Sequence, residues 1–332
     1  MYLCALAPWR EAFVAVVSIG VALVGANALA GDVSVDAILN DLHRPCGVAV
    51  RPGGTADRYE VFLADSGAGR VLRWSNLAPK QAAEVVTGFK THPATDLFHQ
   101  TGPLALWFFD PGLLVVSTTR DEGGDLVRAF ELPDGAKILT AETTVESNSE
   151  RDALEGATCY ALTRSRANEF VPDMLFLAIR HADGHARLMK ARVQAGIVGE
   201  PQPFGPQDAS EPPRAVAISN SGRLVVGDAG GRLSFYSPID GKVELTMPTD
   251  VKQLVGLAYG PTSGSLYAAD FAGGIHRIDD ASEPGRPACR TVKVADVSRP
   301  TALAFAPDGA LYVVTFGNGD GDGTLEVITG DL

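Results

Sequence analysis

Cysteine is scarce in this chain: it contains only 4 cysteines in 332 residues. Cys46, Cys159 and Cys289 follow the N-terminal segment. They are odd in number and form no C-x-x-C pair, so neither a disulfide framework nor a thiolate metal site is indicated. Buried free thiols are therefore the expected state of these side chains.

Basic residues are also underrepresented. Asp and Glu total 40 against 28 Lys and Arg, which gives a formal net charge of −12. Binding to nucleic acid requires a cationic surface that releases counterions from phosphates, so this composition argues against a nucleic-acid partner. Small molecules, metal ions and other proteins remain open as partners.

Long apolar runs are absent beyond residue 30. Residues 1–30 contain Arg10, an apolar run over 13–26 and the small-residue sequence Ala28-Leu29-Ala30, which together are typical of a cleaved secretory signal. The run is shorter than the roughly 18 apolar residues of a membrane-spanning helix, although an uncleaved anchor is an alternative. We therefore expect a secreted or periplasmic, monomeric mature protein over 31–332, with no membrane span.

The most informative pattern is a recurring triplet in which alanine stands between two apolar residues. The alanines lie 56, 56, 56, 41 and 46 residues apart, which is the spacing of four-stranded propeller blades. Because innermost strands converge on the axis of a propeller, a small residue at this point allows the sheets to approach one another. The six triplets are Val48-Ala49-Val50, Leu104-Ala105-Leu106, Tyr160-Ala161-Leu162, Val216-Ala217-Ile218, Leu257-Ala258-Tyr259 and Leu303-Ala304-Phe305.

Each triplet opens the same succession of apolar strands and Gly-containing turns. In the last unit, Pro307-Asp308-Gly309 separates two strands, and Asp-Gly is a strong hairpin signal. We therefore predict an all-β, six-bladed propeller with blades starting near residues 45, 102, 157, 213, 254 and 300. Fourth strands are expected at 83–89, 137–145, 192–198, 242–247 and 290–297.

The last unit ends one strand short of a complete blade. Its third strand is predicted at 324–328, and the chain stops a few residues later. An N-terminal strand at 33–39 would complete this blade, close the ring and protect an edge that would otherwise pair with other chains.

The first unit resembles an NHL repeat. The similarity lies in Pro45-Cys46-Gly47-Val48-Ala49-Val50 and in the stretch from Val61 to Val71, VFLADSGAGRV. Residues 213–233, 254–275 and 300–327 are more loosely similar, and the second and third units hardly match. The resemblance extends in outline to six-bladed gluconolactonase-like and senescence-marker-like lactonases, strictosidine-synthase-like proteins and quinoprotein sugar dehydrogenases.

In propellers of this kind, ligands usually bind near the axis on one face. That face carries the turns between the second and third strands of each blade and the connections between blades. Histidines and carboxylates that converge there could form a metal site or an acid/base catalyst, although polar loops accumulate such residues without function. The candidates are His43, Asp65, His99, Arg120, Glu155, His181, Arg214, Asp228 and Asp270.

Three of these candidates, Asp65, Asp228 and Asp270, end the second strand of their blades. They could form a ring of carboxylates that binds calcium or a cationic ligand. Alternatively, each accepts hydrogen bonds from backbone N–H groups of the Gly-rich turn that follows it.

Two further features have alternative interpretations. Arg214 could bind a carboxylate or phosphate at the channel mouth, or pair with an acid of a neighbouring blade. Asn318, Asp320 and Asp322 match the first half of a calcium loop, but Thr329 stands where the closing acid would be, so a flexible Gly-Asp turn is the alternative.

The resemblance also implies two enzymatic possibilities. Metal-dependent lactonases of this shape use an E-G-P opening, of which Leu154-Glu155-Gly156-Ala157 lacks the proline. Quinoprotein dehydrogenases use a histidine base with several cations, for which His99, Arg120 and Arg214 could serve, but their motifs are absent. We therefore expect a scaffold that binds a small ligand or protein partner, with a metal-dependent lactonase and then a quinone-dependent sugar dehydrogenase as alternatives.

Overall fold

The described part of the chain is built from β-strands. The computed structural model describes residues 33–92, 100–119, 126–133, 135, 137–144, 156–165, 173–181, 185–194, 197–206, 211–279 and 290–332. Within these ranges no residue belongs to a helix, and so none belongs to a helix long and apolar enough to cross a membrane.

The first three blades are consecutive antiparallel sheets. Blade one contains β2 (Gly47–Pro52), β3 (Tyr59–Asp65), β4 (Arg70–Ser75) and β5 (Ala78–Thr87). Blade two contains β6 (Leu106–Asp110), β7 (Leu113–Ser117) and β8 (Val127–Glu131). The short strand β9 (Leu139–Thr140) follows blade two in the chain but joins the sheet of blade one beside β5. Blade three contains β10 (Thr158–Ser165), β11 (Met174–Arg180), β12 (Ala186–Gln194), β13 (Ile197–Val198) and β14 (Gln202–Pro203).

The last three blades are regular four-stranded sheets. Blade four contains β15 (Pro213–Ile218), β16 (Leu224–Asp228), β17 (Arg232–Tyr236) and β18 (Val243–Pro248). Blade five contains β19 (Leu254–Tyr259), β20 (Leu266–Asp270), β21 (Ile275–Asp279) and β22 (Arg290–Ala295). Blade six contains β23 (Pro300–Phe305), β24 (Leu311–Thr315), β25 (Gly323–Thr329) and, as its outermost strand, β1 (Ser34–Leu42).

The six first strands form a closed ring, which confirms the predicted propeller. β2, β6, β10, β15, β19 and β23 each contact the next in that order, and β23 contacts β2. The predicted closure is also confirmed, because β1 pairs antiparallel with β25 in a register that joins Val35 to Ile328 and Ala37 to Glu326. The two ends of the chain are thus hydrogen-bonded in one sheet, which leaves the ring without a gap.

The apolar core lies between neighbouring sheets rather than at the axis. Side chains alternate across a strand, so in β3 Val61 and Leu63 pack toward blade six while Phe62 and Ala64 pack toward blade two. Because both faces of each sheet are covered, the second strands are continuous apolar runs rather than alternating ones. In the described residues, one such cluster lies at each of the six blade boundaries.

Blades one and two approach closely at the beginning of their inner strands. A Cβ atom on Gly47 would lie 2.1 Å from the backbone oxygen of Leu104. Glycine is therefore required sterically at this point, immediately before the first alanine triplet. Nearby, Ala49 is buried in the cluster between blades one and two.

The outer strands of blades two and three differ from the prediction. A fourth strand of blade two was expected at 137–145, but Leu139 and Thr140 instead pair in parallel with Val86 and Thr87 of blade one. In blade three, Arg192 to Gln194 extend β12, and β13 and β14 share the outer position. Outer strands pack against fewer neighbours than inner ones, so the repeat pattern specifies them less strongly.

Candidate functional site

The candidate residues lie on the face formed by the turns between second and third strands and by the connections between blades, here called the upper face. Six of the candidates are described by the structure on this face: His43, Asp65, His181, Arg214, Asp228 and Asp270. The candidates His99, Arg120 and Glu155 lie outside the described residues.

Asp65 is fully buried and holds two elements of the upper face together. Its Oδ1 accepts the backbone N–H of His43 at 2.6 Å, and its Oδ2 accepts Nε of Arg70 at 2.8 Å. Burial raises the pKa of Asp65, while the Arg70 guanidinium and the His43 N–H oppose that shift. The carboxylate thus joins the β1–β2 connection to the β3–β4 turn.

Asp228 holds the turn that follows its strand. Its Oδ1 accepts the N–H groups of Gly230 and Arg232 at 3.0 and 2.9 Å, and Nε of Arg232 reaches Oδ2 at 2.9 Å. These are the contacts predicted if a strand-end aspartate accepts backbone N–H groups of the turn that follows it.

Asp270 spans two blades in a similar way. It accepts the N–H of Ala272 in its own turn at 3.0 Å and those of Lys252 and Gln253 in the preceding connection at 3.2 and 2.9 Å. Across the described residues the three aspartates therefore use their oxygens to fix loops. Asp65 departs from the expectation, because its backbone donor, His43, precedes it in the chain and its contact in the following turn is the side chain of Arg70.

A histidine that the sequence analysis did not select lies beside Asp270. Nε2 of His276, in β21, is 3.8 Å from Oδ2 of Asp270. Burial lowers the pKa of His276, and the Asp270 carboxylate opposes this shift only in part. His276 is therefore neutral near pH 7 and contributes no positive charge to the upper face.

His181 and Arg214 occupy neighbouring blades. The backbone N–H of His181 donates to the carbonyl oxygen of His185 at 2.8 Å, which closes the β11–β12 turn. The guanidinium carbon of Arg214 lies 5.4 Å from the ring centroid of Tyr160 in blade three. Arg214 thus contacts an adjacent blade through an aromatic ring. Its two predicted roles, binding an anion at the channel mouth or pairing with an acid of a neighbouring blade, stay predictions.

The most distinctive group on the upper face was missed by the sequence analysis. Arg299, in the β22–β23 connection, has its guanidinium carbon 4.9 Å from the ring centroid of Phe271 and 5.1 Å from that of Phe316. Arg44, in the β1–β2 connection, lies 6.0 Å from the same Phe316 ring. These four residues, here called the Arg–Phe cluster, bring two cations to one buried aromatic ring.

The backbone positions these two arginines in the same unusual way. Arg44 and Arg299 have φ values of 52° and 49°, in the left-handed region that residues other than glycine adopt rarely. Each precedes a proline that leads into an inner strand, Pro45 before β2 and Pro300 as the first residue of β23. An Arg-Pro dipeptide directly before an inner strand was the sequence signal that could have identified the cluster, whereas Arg51-Pro52 ends β2 and lacks that position.

Arg299 is anchored but has no acidic partner among the described residues. Its Nη1 donates to the carbonyl oxygen of Gly317 at 2.5 Å, and its own carbonyl oxygen accepts the N–H of Phe316 at 3.0 Å. The remaining guanidinium N–H groups make no further hydrogen bond or ion pair within the described residues. A planar cation fixed in this way is suited to binding carboxylate or phosphate.

His43 adjoins the cluster in sequence. Its Nδ1 is buried and has no hydrogen-bond partner among the described residues. A buried polar atom without a partner is costly unless another group satisfies it. His43, at the start of blade one, therefore has unused hydrogen-bonding capacity at Nδ1.

The predicted calcium loop forms a tight turn between β24 and β25. Gly317 and Gly321 have positive φ values, and the side chains of Asn318, Asp320 and Asp322 are exposed. Within the described ranges, no group of three or more His, Cys, Asp and Glu side chains is arranged to hold a metal ion.

The thiols agree with the expectation of buried free cysteines. Cys46 and Cys159 are both free and buried, and burial raises the pKa of each thiol to about 12. Such thiols remain protonated at neutral pH and are poor nucleophiles. Cys289 lies outside the described residues.

Comparison with known proteins supports the fold. No protein-family model matches the sequence, and no curated protein matches it significantly. Among solved structures, a glucose dehydrogenase is 16% identical, with a TM-score of 0.58 over 90% of this chain and 99% of that one.

Two other structural neighbours have different functions. Virginiamycin B lyase from Staphylococcus aureus is 10% identical, with a TM-score of 0.51 over 90% and 99% of the two chains. The WD40 propeller domain of Doa1 is 13% identical, with a TM-score of 0.52 over 89% and 97%. At these identities the likeness extends to the β-propeller fold and carries no function with it.

Proposed function

We propose that this protein is a ligand-binding propeller whose upper face recognises a small molecule bearing a carboxylate or phosphate group. The observation that carries the proposal is the Arg–Phe cluster. Arg299 is held between two aromatic rings, has no carboxylate partner in the described residues and precedes an inner strand, so it lies near the ring of first strands.

The charge distribution supports a local anion site despite the acidic chain. The described aspartates at strand ends use their oxygens in loop hydrogen bonds, so they do not offer a ring of free carboxylates. Arg44 adds a second guanidinium near Phe316. An anionic group would therefore meet positive charge on a rigid scaffold.

Location and repeat type form part of this proposal. Residues 1–30 have the features of an export signal, which supports a secreted or periplasmic protein. The NHL-like stretch in blade one supports a relationship with binding propellers of that type. The lactonase alternative rests on Glu155, outside the described residues, and no described contact favours it.

The test is calorimetric titration of the mature protein with matched compounds. Glucose 6-phosphate and gluconate should bind and glucose should not, and Arg299→Gln should weaken binding by about tenfold or more, the loss of one charge-assisted contact. Because the variant also removes the contacts of Arg299 with Phe271 and Phe316, an unchanged melting temperature is required before the loss of binding is assigned to the charge.

The matched control is Arg223→Gln. Arg223 pairs with Glu244 at 2.7 Å and lies in the β15–β16 turn, away from the upper face. Equal binding of glucose and its phosphate, or equal loss in both variants, would refute the proposal. A lactone panel assayed with and without a chelator tests the hydrolase alternative independently.

A further inference from the structure

A separate cleft lies between blades one and two, toward the lower face of the ring. The lower face is the one opposite the upper face, where the first strands end. The cleft has a volume of about 140 Å³ and lies between the sheet of blade one and the segment 132–138 that follows β8. Residues 134 and 136 of this segment lie outside the described residues. The cleft shares no residue with the Arg–Phe cluster.

The cleft lies where blade two departs from the four-stranded pattern. In blades four and five the chain turns back after the third strand and forms a fourth strand in the same sheet. After β8 the chain crosses instead to blade one, where Leu139 and Thr140 pair with Val86 and Thr87. The segment 132–138 therefore joins two blades, and its side chains rather than a fourth strand of blade two face this space.

The lining of the cleft carries an excess of positive charge. Arg51 and Arg73 of blade one and Lys137 of blade two line it, and Glu84 is the one acid in the described lining. Glu84 is already paired with Arg70 at 2.9 Å. Because the chain as a whole carries a net charge of −12, this concentration of cations is a local feature.

The two arginines of the lining share a single carboxylate. Nε and Nη2 of Arg51 both donate to Oε2 of Glu60, and its Nη1 donates to the carbonyl oxygen of Pro111 at 3.1 Å. Arg73 has only an ion pair of 3.6 Å with the other oxygen of Glu60, and it makes no hydrogen bond within the described ranges. Glu60 is thus held by Arg51 and neutralises Arg73 only in part.

The corresponding arginine of blade five is fully paired. Arg73 lies opposite Phe62 in the register of β3 and β4, and Arg277 lies opposite Tyr267 in that of β20 and β21. Nε of Arg277 donates to Oδ1 of Asp279 at 2.8 Å. An arginine at this strand position can therefore have a carboxylate of its own, and the incomplete pairing of Arg73 belongs to the cleft.

Blade two contributes an unpaired cation and apolar groups. Lys137 is exposed and makes no hydrogen bond or ion pair with any described residue. The next residue, Ile138, is 49% exposed although its side chain is large and hydrophobic, and Leu132 and Pro133 line the same cleft. Two incompletely paired cations therefore lie beside an apolar wall.

We propose that this cleft binds a short aliphatic carboxylate. Its oxygens accept charge-assisted hydrogen bonds from Arg73 and Lys137, and its alkyl chain packs against Leu132, Pro133 and Ile138. The volume is below the roughly 300–1,000 Å³ of pockets for drug-sized ligands, which fits a short chain rather than a large molecule. Arg51 is a positioning residue, because it holds Glu60 away from full contact with Arg73.

The test compares hexanoate, acetate and 1-hexanol. Binding to the full mature protein is measured by calorimetry at moderate ionic strength, and the N–H signals of Leu132, Gly135, Lys137 and Ile138 are followed by NMR. Hexanoate should bind and shift those signals. Acetate should bind at least tenfold more weakly because it lacks the alkyl chain, and 1-hexanol should not bind because it lacks the charge.

Variants with matched controls locate the cations. Arg73→Gln should weaken hexanoate binding by about tenfold and Lys137→Gln severalfold, because each removes one charge-assisted contact. The controls are Arg277→Gln, at the corresponding strand position of blade five, and Lys242→Gln, an exposed lysine before β18. Both controls remove the same charge elsewhere and should leave the affinity unchanged.

A second pair of variants tests the sign of the effect. Glu84 and Glu244 lie in the fourth strands of blades one and four, are 40% and 39% exposed, and each pair with an arginine. Glu84→Gln should strengthen hexanoate binding severalfold, because it removes the one carboxylate of the described lining. Glu244→Gln should not change it.

Specific outcomes would overturn the proposal. Equal binding of 1-hexanol would reduce the cleft to an apolar groove, and equal weakening by Lys137→Gln and Lys242→Gln would reduce it to general attraction. Loss of the signal shifts in Arg299→Gln would place hexanoate on the upper face instead. Should Arg73→Gln unfold the chain, the exposed Lys137 decides, and unchanged affinity in Lys137→Gln rejects the site.

Discussion

Because β1 closes the ring, shortening one buried side chain of this strand should destabilise the whole protein. Leu42 is 3% exposed and packs in the cluster between blades one and six, whereas Val35 in the same strand is 38% exposed. Leu42→Ala removes buried methyl groups and leaves a cavity, which costs about 3 kcal/mol at a site of this kind. Val35→Ala should cost less than about 1 kcal/mol.

The assay is thermal and urea unfolding of the mature protein. An unfolding entropy of about 2.1 cal/mol/K per residue over about 300 residues converts 3 kcal/mol into a fall of roughly 5 °C in Tm. If Leu42→Ala and Val35→Ala have equal effects, or if only a local signal from β1 changes, the strand is not part of the cooperative unit and the reasoning about closure fails.

The remaining predictions concern packing, protonation and thiol reactivity. Gly47→Ala should lower Tm more than Leu42→Ala, because the added Cβ meets a backbone oxygen of blade two 2.1 Å away; an unchanged Tm would contradict the close approach. Because the folded pKa of His276 lies below its unfolded value, stability should be lost as pH falls through that folded pKa, and His276→Gln should flatten the pH dependence of Tm below about pH 6.5. In a Cys289→Ser background, Cys46 and Cys159 of the mature protein should react with a thiol reagent at pH 8 only after denaturation, whereas rapid labelling of that folded variant would contradict their burial.

Much of the fold was predictable from local signals. The alanine triplets and the hairpin turns repeat with each blade, and the second strands are apolar throughout because both of their faces are buried. The closing strand was predictable because the last unit lacked one strand. The outer strands of blades two and three were not, since their pairing depends on which neighbouring edge is available.

The candidate site was less predictable. The sequence analysis selected histidines and aspartates by residue type, and it treated the strand-end aspartates as either ligands or loop caps. Asp228 and Asp270 each accept a backbone N–H from the turn that follows them, which agrees with the loop-cap alternative. The Arg–Phe cluster joins residues from blades five and six to the first connection, a proximity that exists only after the ring has closed.

By itself, the sequence determined the number of blades, the order of their inner three strands and the order of the ring, because these follow from periodicity and from local turn chemistry. Only the tertiary structure decided which polar groups have no partner within the protein and are therefore available to a ligand. Whether Arg299 meets an acid or an aromatic ring, and whether Lys137 of blade two lies beside the arginines of blade one, depends on contacts between blades. Such contacts join residues distant in the chain, and no local pattern records them.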